Sequence, residues 1–319
     1  MGDAVTQDKP GEQWCCGVEH LGPSAAELRR LARQLAPCAE LDGALRSCTQ
    51  AEVYDALFQD PIVLQFPSPI SYRRKLCKFV VDVKNLMANA DHDGLVEECF
   101  EAVSAAVPCS LFDGHLVFSC GSAAPLVLRV SRGTGGELET GGRVWPAARV
   151  LSELCGWGRL PWQVDGPCKV LELGAGTGMA GLSLLRLGAA TEVILTDGYP
   201  AVVENLEYNI HATAAAGKQV LRARASVLQW ENPWSPDDHD VVLATDVCYH
   251  PPSFPALAAA LDALLPCKYG AVLINEVRSE ETWNGLAREL EHAGLRVEER
   301  AVETQVEGRF GMLVVSKPV

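Results

Sequence analysis

The chain has 319 residues, 48% of them hydrophobic and 21% charged, and carries a formal net charge of -14. That supports one large domain with an accessory region, or two modest domains. The acidic balance excludes a protein that follows nucleic-acid phosphates with clustered Lys and Arg, and suits a basic protein partner instead.

The opening residues, "MGDAVTQDKPGEQ", have neither the basic nor the apolar region of a signal peptide. No later run approaches the roughly 20 apolar residues that span a bilayer. A cytoplasmic monomer that binds neither membrane nor nucleic acid is therefore expected. Met1-Gly2-x-x-x-Thr6 matches the bare myristoylation pattern, but no polybasic patch accompanies it, and the match is read as chance. The twelve cysteines are scattered, with no C-x-x-C pair and no His at zinc-finger spacing, so they read as buried small hydrophobes and no metal site is expected.

Residues 1–22 read as a flexible N-terminus and 23–110 as a mainly helical region for substrate or partner recognition. Helical spacing runs through Ser24 to Ala36, with Ser24 as N-cap, then Thr49 to Gln59, Ser71 to Ala90 and Asp93 to Val107. "DPIVLQFPSPI" separates these helices, since no helix continues through Pro67 and Pro69. From 111 to 319 the pattern is α/β. A hairpin is expected near 115–131, a flexible turn or loop over Arg132 to Gly142, and a helix at "PAARVLSELCGW".

Strands are predicted at 168–173, 191–197, 219–226, 240–245 and 270–277, with helical segments between them, which implies a doubly wound parallel sheet. "LRVEERAVE" and "EGRFGMLVVSK" follow without room for a helix, so an antiparallel C-terminal hairpin closes a seven-stranded, Rossmann-like sheet.

"VLELGAGTGMAGL", Val170 to Leu182, contains two overlapping glycine patterns. Gly176-x-Gly178-x-x-Gly181 is the dinucleotide fingerprint, whereas Glu172-x-Gly174-x-Gly176-x-Gly178 begins directly where the first strand ends. In an open α/β sheet the ligand lies at the carboxyl ends of the strands, so the second register fits better. Asp197, at the end of the next strand, suits the ribose of either NAD or S-adenosylmethionine. The closing hairpin, foreign to the usual dinucleotide fold, favours S-adenosylmethionine. An NAD-dependent oxidoreductase and a non-catalytic cofactor-binding scaffold stand as the alternatives.

These residues resemble the class I, seven-strand methyltransferases, and among them the protein-lysine methyltransferases with an Asp-x-x-Tyr motif after the fourth strand, here "DVCY", Asp246 to Tyr249. "TGGRVWPAARVLSELC" is similar to that group's segment ahead of the sheet, with Trp145 in the cofactor-contacting place, and "VLQW" supplies Trp230. "DPIVLQFPSPISYRRKLCKFVVDVKN" with "DGLVEECFEAV" resembles the leader of the elongation factor 2 lysine methyltransferase family. Gln229, Thr245 and the loop around Gly133 to Gly142 depart from the pattern.

The resemblance implies protein-lysine methylation with S-adenosyl-L-methionine as donor and elongation factor 2 as protein substrate. It implies cofactor contacts from Trp145, Glu172, Gly174, Ala175, Gly176, Asp197, Trp230 and Thr245. Asp246 orients the incoming lysine, because a carboxylate beside the amine raises its pKa and makes a poor base, and Tyr249 offers a π face or hydroxyl. The bland readings are an N-cap for Asp246, core packing for the tryptophans, a polar helix face for Asn205 and Asn209, and surface positions for His250 and the run Arg73-Arg74-Lys75.

Overall fold

A computed structural model describes residues 23–33, 36, 38–57, 60–86, 112–120, 123–131, 138–162, 166–234, 238–265 and 268–318. The chain divides into two compact units, one drawn from 1–107 and 116–125, the other from 108–115 and 126–319.

In the first unit the described helices are α1 (Pro23–Arg33), α2 (Cys38–Arg46), α3 (Gln50–Leu57), α4 (Pro61–Gln65) and α5 (Ile70–Leu86). Leu28, Leu41, Leu45, Val53 and Val80 form their buried core. Ser24 is not the N-cap expected of it: α1 starts at Pro23, whose fixed φ and missing N–H suit a first helical position. A capping box opens α3, with Thr49 N–H donating to Glu52 Oε2 at 2.8 Å and Glu52 N–H donating to Thr49 Oγ1 at 3.3 Å. The Pro-rich break contains a helical turn, α4, because Asp60 Oδ1 accepts the Ile62 N–H at 3.0 Å. Buried Asp60 also receives the Arg33 guanidinium, Nη2 to Oδ1 at 2.6 Å. Arg73 is buried rather than a surface charge, while Arg74 and Lys75 are exposed. The helix expected over Asp93 to Val107 lies outside the described residues.

Strands β1 (Phe112–Cys120) and β2 (Ala123–Ser131) form the expected hairpin. Residues 138–141 of the expected loop form a helical turn instead. The alternation then runs α6 (Pro146–Gly156), β3 (Cys168–Leu173), α7 (Met179–Arg186), β4 (Ala190–Asp197), α8 (Pro200–Ala216), β5 (Ala223–Val227), β6 (Val241–Thr245), α9 (Phe254–Leu264), β7 (Ala271–Glu276), α10 (Glu280–His292), β8 (Arg296–Ala301) and β9 (Phe310–Ser316). The seven-stranded sheet has the order β5-β4-β3-β6-β7-β9-β8. All neighbours are parallel except β9, which lies antiparallel between β7 and β8.

Side chains that alternate along the strands line up across the sheet. Leu171, Val242, Ala271 and Val315 are successive register partners, as are Leu173, Ala244, Leu273 and Leu313. Both rows are buried with Leu257, Leu261, Trp283 and Leu286 of α9 and α10. The other face carries α7, close enough that a Cβ on Gly181 would stand 2.5 Å from Leu195 Cδ2. Helices on both faces make the sheet doubly wound.

Asn205 and Asn209 are more than a polar helix face, for both are buried. Asn209 Oδ1 accepts the Arg129 N–H at 2.7 Å, and Asn205 Nδ2 donates to the Arg129 carbonyl at 3.2 Å. Thr213 Oγ1 accepts the Val127 N–H and donates to the Val127 carbonyl, both at 3.0 Å. These side chains of α8 satisfy β2 as a further strand would.

Candidate active site

The glycine turn follows β3 directly. Gly174, Gly176 and Gly178 all have positive φ, +64°, +56° and +80°, which a side chain would resist. Gly181 is different, being a helical residue of α7. The three turn-forming glycines are thus those of the Glu172-x-Gly-x-Gly-x-Gly register, and Gly181 serves packing. The turn is tied to β4 by the Ala175 N–H, which donates to the Thr196 carbonyl at 2.8 Å. Behind it, Asn209 Nδ2 donates to the Thr177 carbonyl at 2.9 Å.

Asp197 ends β4, and its Oδ2 accepts the Gly176 N–H at 3.1 Å while Oδ1 accepts the Tyr199 N–H at 3.3 Å. Burial pushes its carboxyl above the ordinary range, and the backbone donors of Gly176, Tyr199 and Gly198 work against that push.

Trp230 and the segment that carries Trp145 flank the turn. A Cβ on Gly174 would stand 3.7 Å from Trp230 Cζ2 and 3.1 Å from Val247 Cγ1. A Cβ on Gly176 would stand 3.2 Å from the Gly141 carbonyl oxygen, so the segment before α6 runs against the turn. In that segment the Trp145 indole N–H donates to the Thr140 carbonyl at 2.9 Å.

Glu172 requires a correction. The side chain is completely buried, and Oε2 accepts the Gly181 N–H at 2.9 Å. It therefore anchors α7 to β3 from beneath the turn, closed off from solvent. Among the described residues Oε1 has no hydrogen-bond partner, and desolvation raises the carboxyl pKa to about 8, with the Gly181 N–H opposing the shift and Asp197 adding to it. Its acidity marks a packing position.

The carboxyl end of β6 gives the second part of the site. Thr245 closes the strand, and Asp246 follows in a left-handed conformation, φ +54°. Asp246 does not cap the helix that comes after it. Its Oδ2 accepts the Ala147 N–H at 2.8 Å, where α6 begins without a side-chain cap of its own. Oδ1 accepts the Glu276 N–H at 3.0 Å. One carboxyl thus joins β6, β7 and α6, and burial raises its pKa against those two donors. Two further residues escaped the sequence reading. Asn275 is buried on β7 and accepts the Cys248 N–H at 2.8 Å, which fixes the Asp246–Tyr249 turn. Arg278 reaches back with Nη2 3.9 Å from Asp246 Oδ1 and its guanidinium 5.2 Å from the Trp145 ring centroid. Nothing in "NEVRSE" marks either, since both act through side chains that reach a turn some thirty residues earlier.

Tyr249 is 57% exposed and Tyr199 54%. Desolvation, then Asp197, then Tyr199 raise the Tyr249 hydroxyl pKa. His250 is an exposed surface residue. Among the described residues no His, Cys, Asp and Glu group could hold a metal ion, and no helix is long and apolar enough to cross a membrane.

Comparison with known proteins agrees with this geometry. The lysine methyltransferase family profile matches residues 124–286. EEF1A lysine methyltransferase 3 of Mus musculus is 30% identical over 183 residues, covering 56% of this chain and 75% of the relative. Protein-lysine N-methyltransferase EEF2KMT of Homo sapiens is 25% identical over 287 residues, covering 82% and 84%. Protein N-lysine methyltransferase METTL21A of Danio rerio is 37% identical over 124 residues, covering 38% and 54%. With the family profile matching half of its length, this chain belongs to the lysine methyltransferase family, and it is a protein-lysine N-methyltransferase with S-adenosylmethionine as methyl donor.

Proposed function

We propose that the two strand-end clusters divide the reaction between them: one holds S-adenosylmethionine, the other a lysine of elongation factor 2. The residues fit the donor. Gly174 and Gly176 leave bare backbone where a Cβ would crowd Val247 or Gly141, and the Asp197 carboxylate beside them suits a pair of ribose hydroxyls. Ala175 and Thr245 contribute backbone, and Trp145 and Trp230 contribute apolar walls that exclude water. Glu172 acts through the turn it anchors.

S-adenosylmethionine supplies a methyl group on a positively charged sulfur. What the chain must do is present a neutral lysine amine in line with that methyl, and positioning of this kind is worth orders of magnitude in rate. Asp246 is already held by two backbone donors and orients the amine without taking its proton. Tyr249 offers its exposed ring and hydroxyl to the lysine stem or ammonium. The observation that carries this reading is the approach of the Asp246–Tyr249 turn to the glycine turn, where a Cβ on Gly174 would stand 3.1 Å from Val247 Cγ1.

Elongation factor 2 is favoured as substrate because the EEF2KMT match extends over 82% of the chain, too far to lie within residues 126–319 alone. The helical region at 23–110 would then read the substrate protein, with 111–319 as the catalytic domain. A second reading, EEF1A as substrate, is favoured by the higher identity of the mouse relative. Labelled donor, purified protein and an extract from cells lacking it decide between them. Label on a lysine of elongation factor 2 is expected; label on EEF1A or another protein instead overturns the substrate.

A further inference from the structure

The lysine methyltransferase reaction consumes a neutral amine, yet an ordinary lysine with a pKa near 10.4 enters charged at neutral pH. Two carboxyl groups lie where the acceptor is read to enter. Asp246 is 8% exposed, and Glu276, at the end of β7, is hydrogen-bonded to it through its own N–H. Left alone, both would favour the ammonium form and hold the amine inactive. Arg278 stands against them. Its Nη2 is 3.9 Å from Asp246 Oδ1 and 2.5 Å from Glu276 Oε2, and its guanidinium faces the Trp145 ring at 5.2 Å. The side chain is 46% exposed, so it borders solvent from which a substrate arrives.

We infer that Arg278 is a positioning residue for the charge of the acceptor, offsetting one of the two negative charges of Asp246 and Glu276 so that the bound substrate lysine gives up its proton more readily. Arginine suits the task because it cannot itself be deprotonated, and the Trp145 face fixes the plane of its guanidinium. The charged groups acting on the Asp246 carboxyl are Arg278, which favours its ionised form, and Glu276, which opposes it. At the end of β4 stand Asp197 and the Tyr199 phenol, and in the turn after β6 the Tyr249 phenol. With Arg278 present the Asp246–Glu276 pair carries one net negative charge when both are ionised; without it, two. The amine releases its proton to solvent on entry, and its lone pair then forms the N–C bond as the methyl–sulfur bond breaks and that electron pair passes to sulfur. The methylated nitrogen afterwards loses a proton to water.

This inference rests on the reading that the acceptor lysine meets Asp246, and the test separates the two. Initial rates of methyl transfer into the acceptor protein isolated from cells lacking this enzyme, from trace to saturating acceptor, report KM and kcat as functions of pH, and the pKa of the bound amine appears in kcat. In Arg278→Met the rising limb of the profile is expected to move up by about one pH unit, a tenfold loss near pH 7 that vanishes at high pH. Arg278→Lys restores the wild-type limb, and Glu276→Gln combined with Arg278→Met moves it back down. Unchanged melting temperature and S-adenosylhomocysteine affinity exclude a folding defect. A loss equal at every pH, or no loss, overturns the role of Arg278. If Asp246→Asn leaves both the limb and KM unchanged, the placement of the lysine itself is wrong.

Discussion

Asp246 holds a backbone conformation, φ +54°, that costs a non-glycine residue on the order of 1 kcal/mol or more. Strain of this kind persists where surrounding structure fixes it, here the Ala147 and Glu276 N–H groups. Glu172 stores a different tension, a carboxyl fully buried with one oxygen unpartnered. Between its ordinary pKa of 4.5 and the folded value of about 8, the folded chain binds more protons than the unfolded chain. Stability therefore falls as pH rises through that window, by up to about 1.4 kcal/mol per pH unit from this group, and levels off above it. Glu172→Gln keeps an acceptor for Gly181 and removes the titration. Urea denaturation from pH 5 to 9 is expected to show a flatter profile in the variant, and a slope as steep as wild type contradicts the assignment. The sequence marked Glu172 by its place at a strand end, but strand alternation alone does not say whether an acid points to ligand or to helix; the Gly181 N–H decides it.

Elements were legible where periodicity was strong and their ends where proline stood. β3 was read to the residue, and the closing hairpin was evident because no helix could fit between its strands. β5 was not, since "QVLRARAS" alternates from its first residue, yet Val220 is 90% exposed and pairing begins only at Ala223. The roles of Asn205 and Asn209 were hidden because their partner, β2, lies some eighty residues earlier. Asn209→Ala removes the side chain that accepts the half-buried Arg129 N–H and donates to the buried Thr177 carbonyl, and should cost about 1–3 kcal/mol, with faster amide exchange along β2. Thermal melting and hydrogen exchange check both. Gly181→Ala places a Cβ 2.5 Å from Leu195 and 2.6 Å from Glu172 Oε2, and should destabilise by about 1–3 kcal/mol. A neutral effect would mean that α7 is free to move off the sheet.

At the scale of the whole molecule, the sheet order brings the ends of β3, β4, β6 and β7 to one edge, where Asp246 ties the start of α6 to the end of β7. The fold and donor motif could be read from sequence because they are local, a strand followed by its turn. Of the proposed acceptor side only Asp246 and Tyr249 could be read, because Asn275 and Arg278 reach that turn through side-chain contacts, to the Cys248 N–H and to Asp246 Oδ1, that residue spacing does not show. The central claim is that donor and acceptor sites are separate clusters on one sheet edge. It is tested by measuring S-adenosylhomocysteine affinity and methyl transfer side by side in Asp197→Ala and Asp246→Asn. Asp197→Ala is predicted to weaken affinity tenfold or more, about 1.4 kcal/mol, while Asp246→Asn retains wild-type affinity and loses transfer. Loss of affinity in Asp246→Asn with wild-type binding in Asp197→Ala would contradict it.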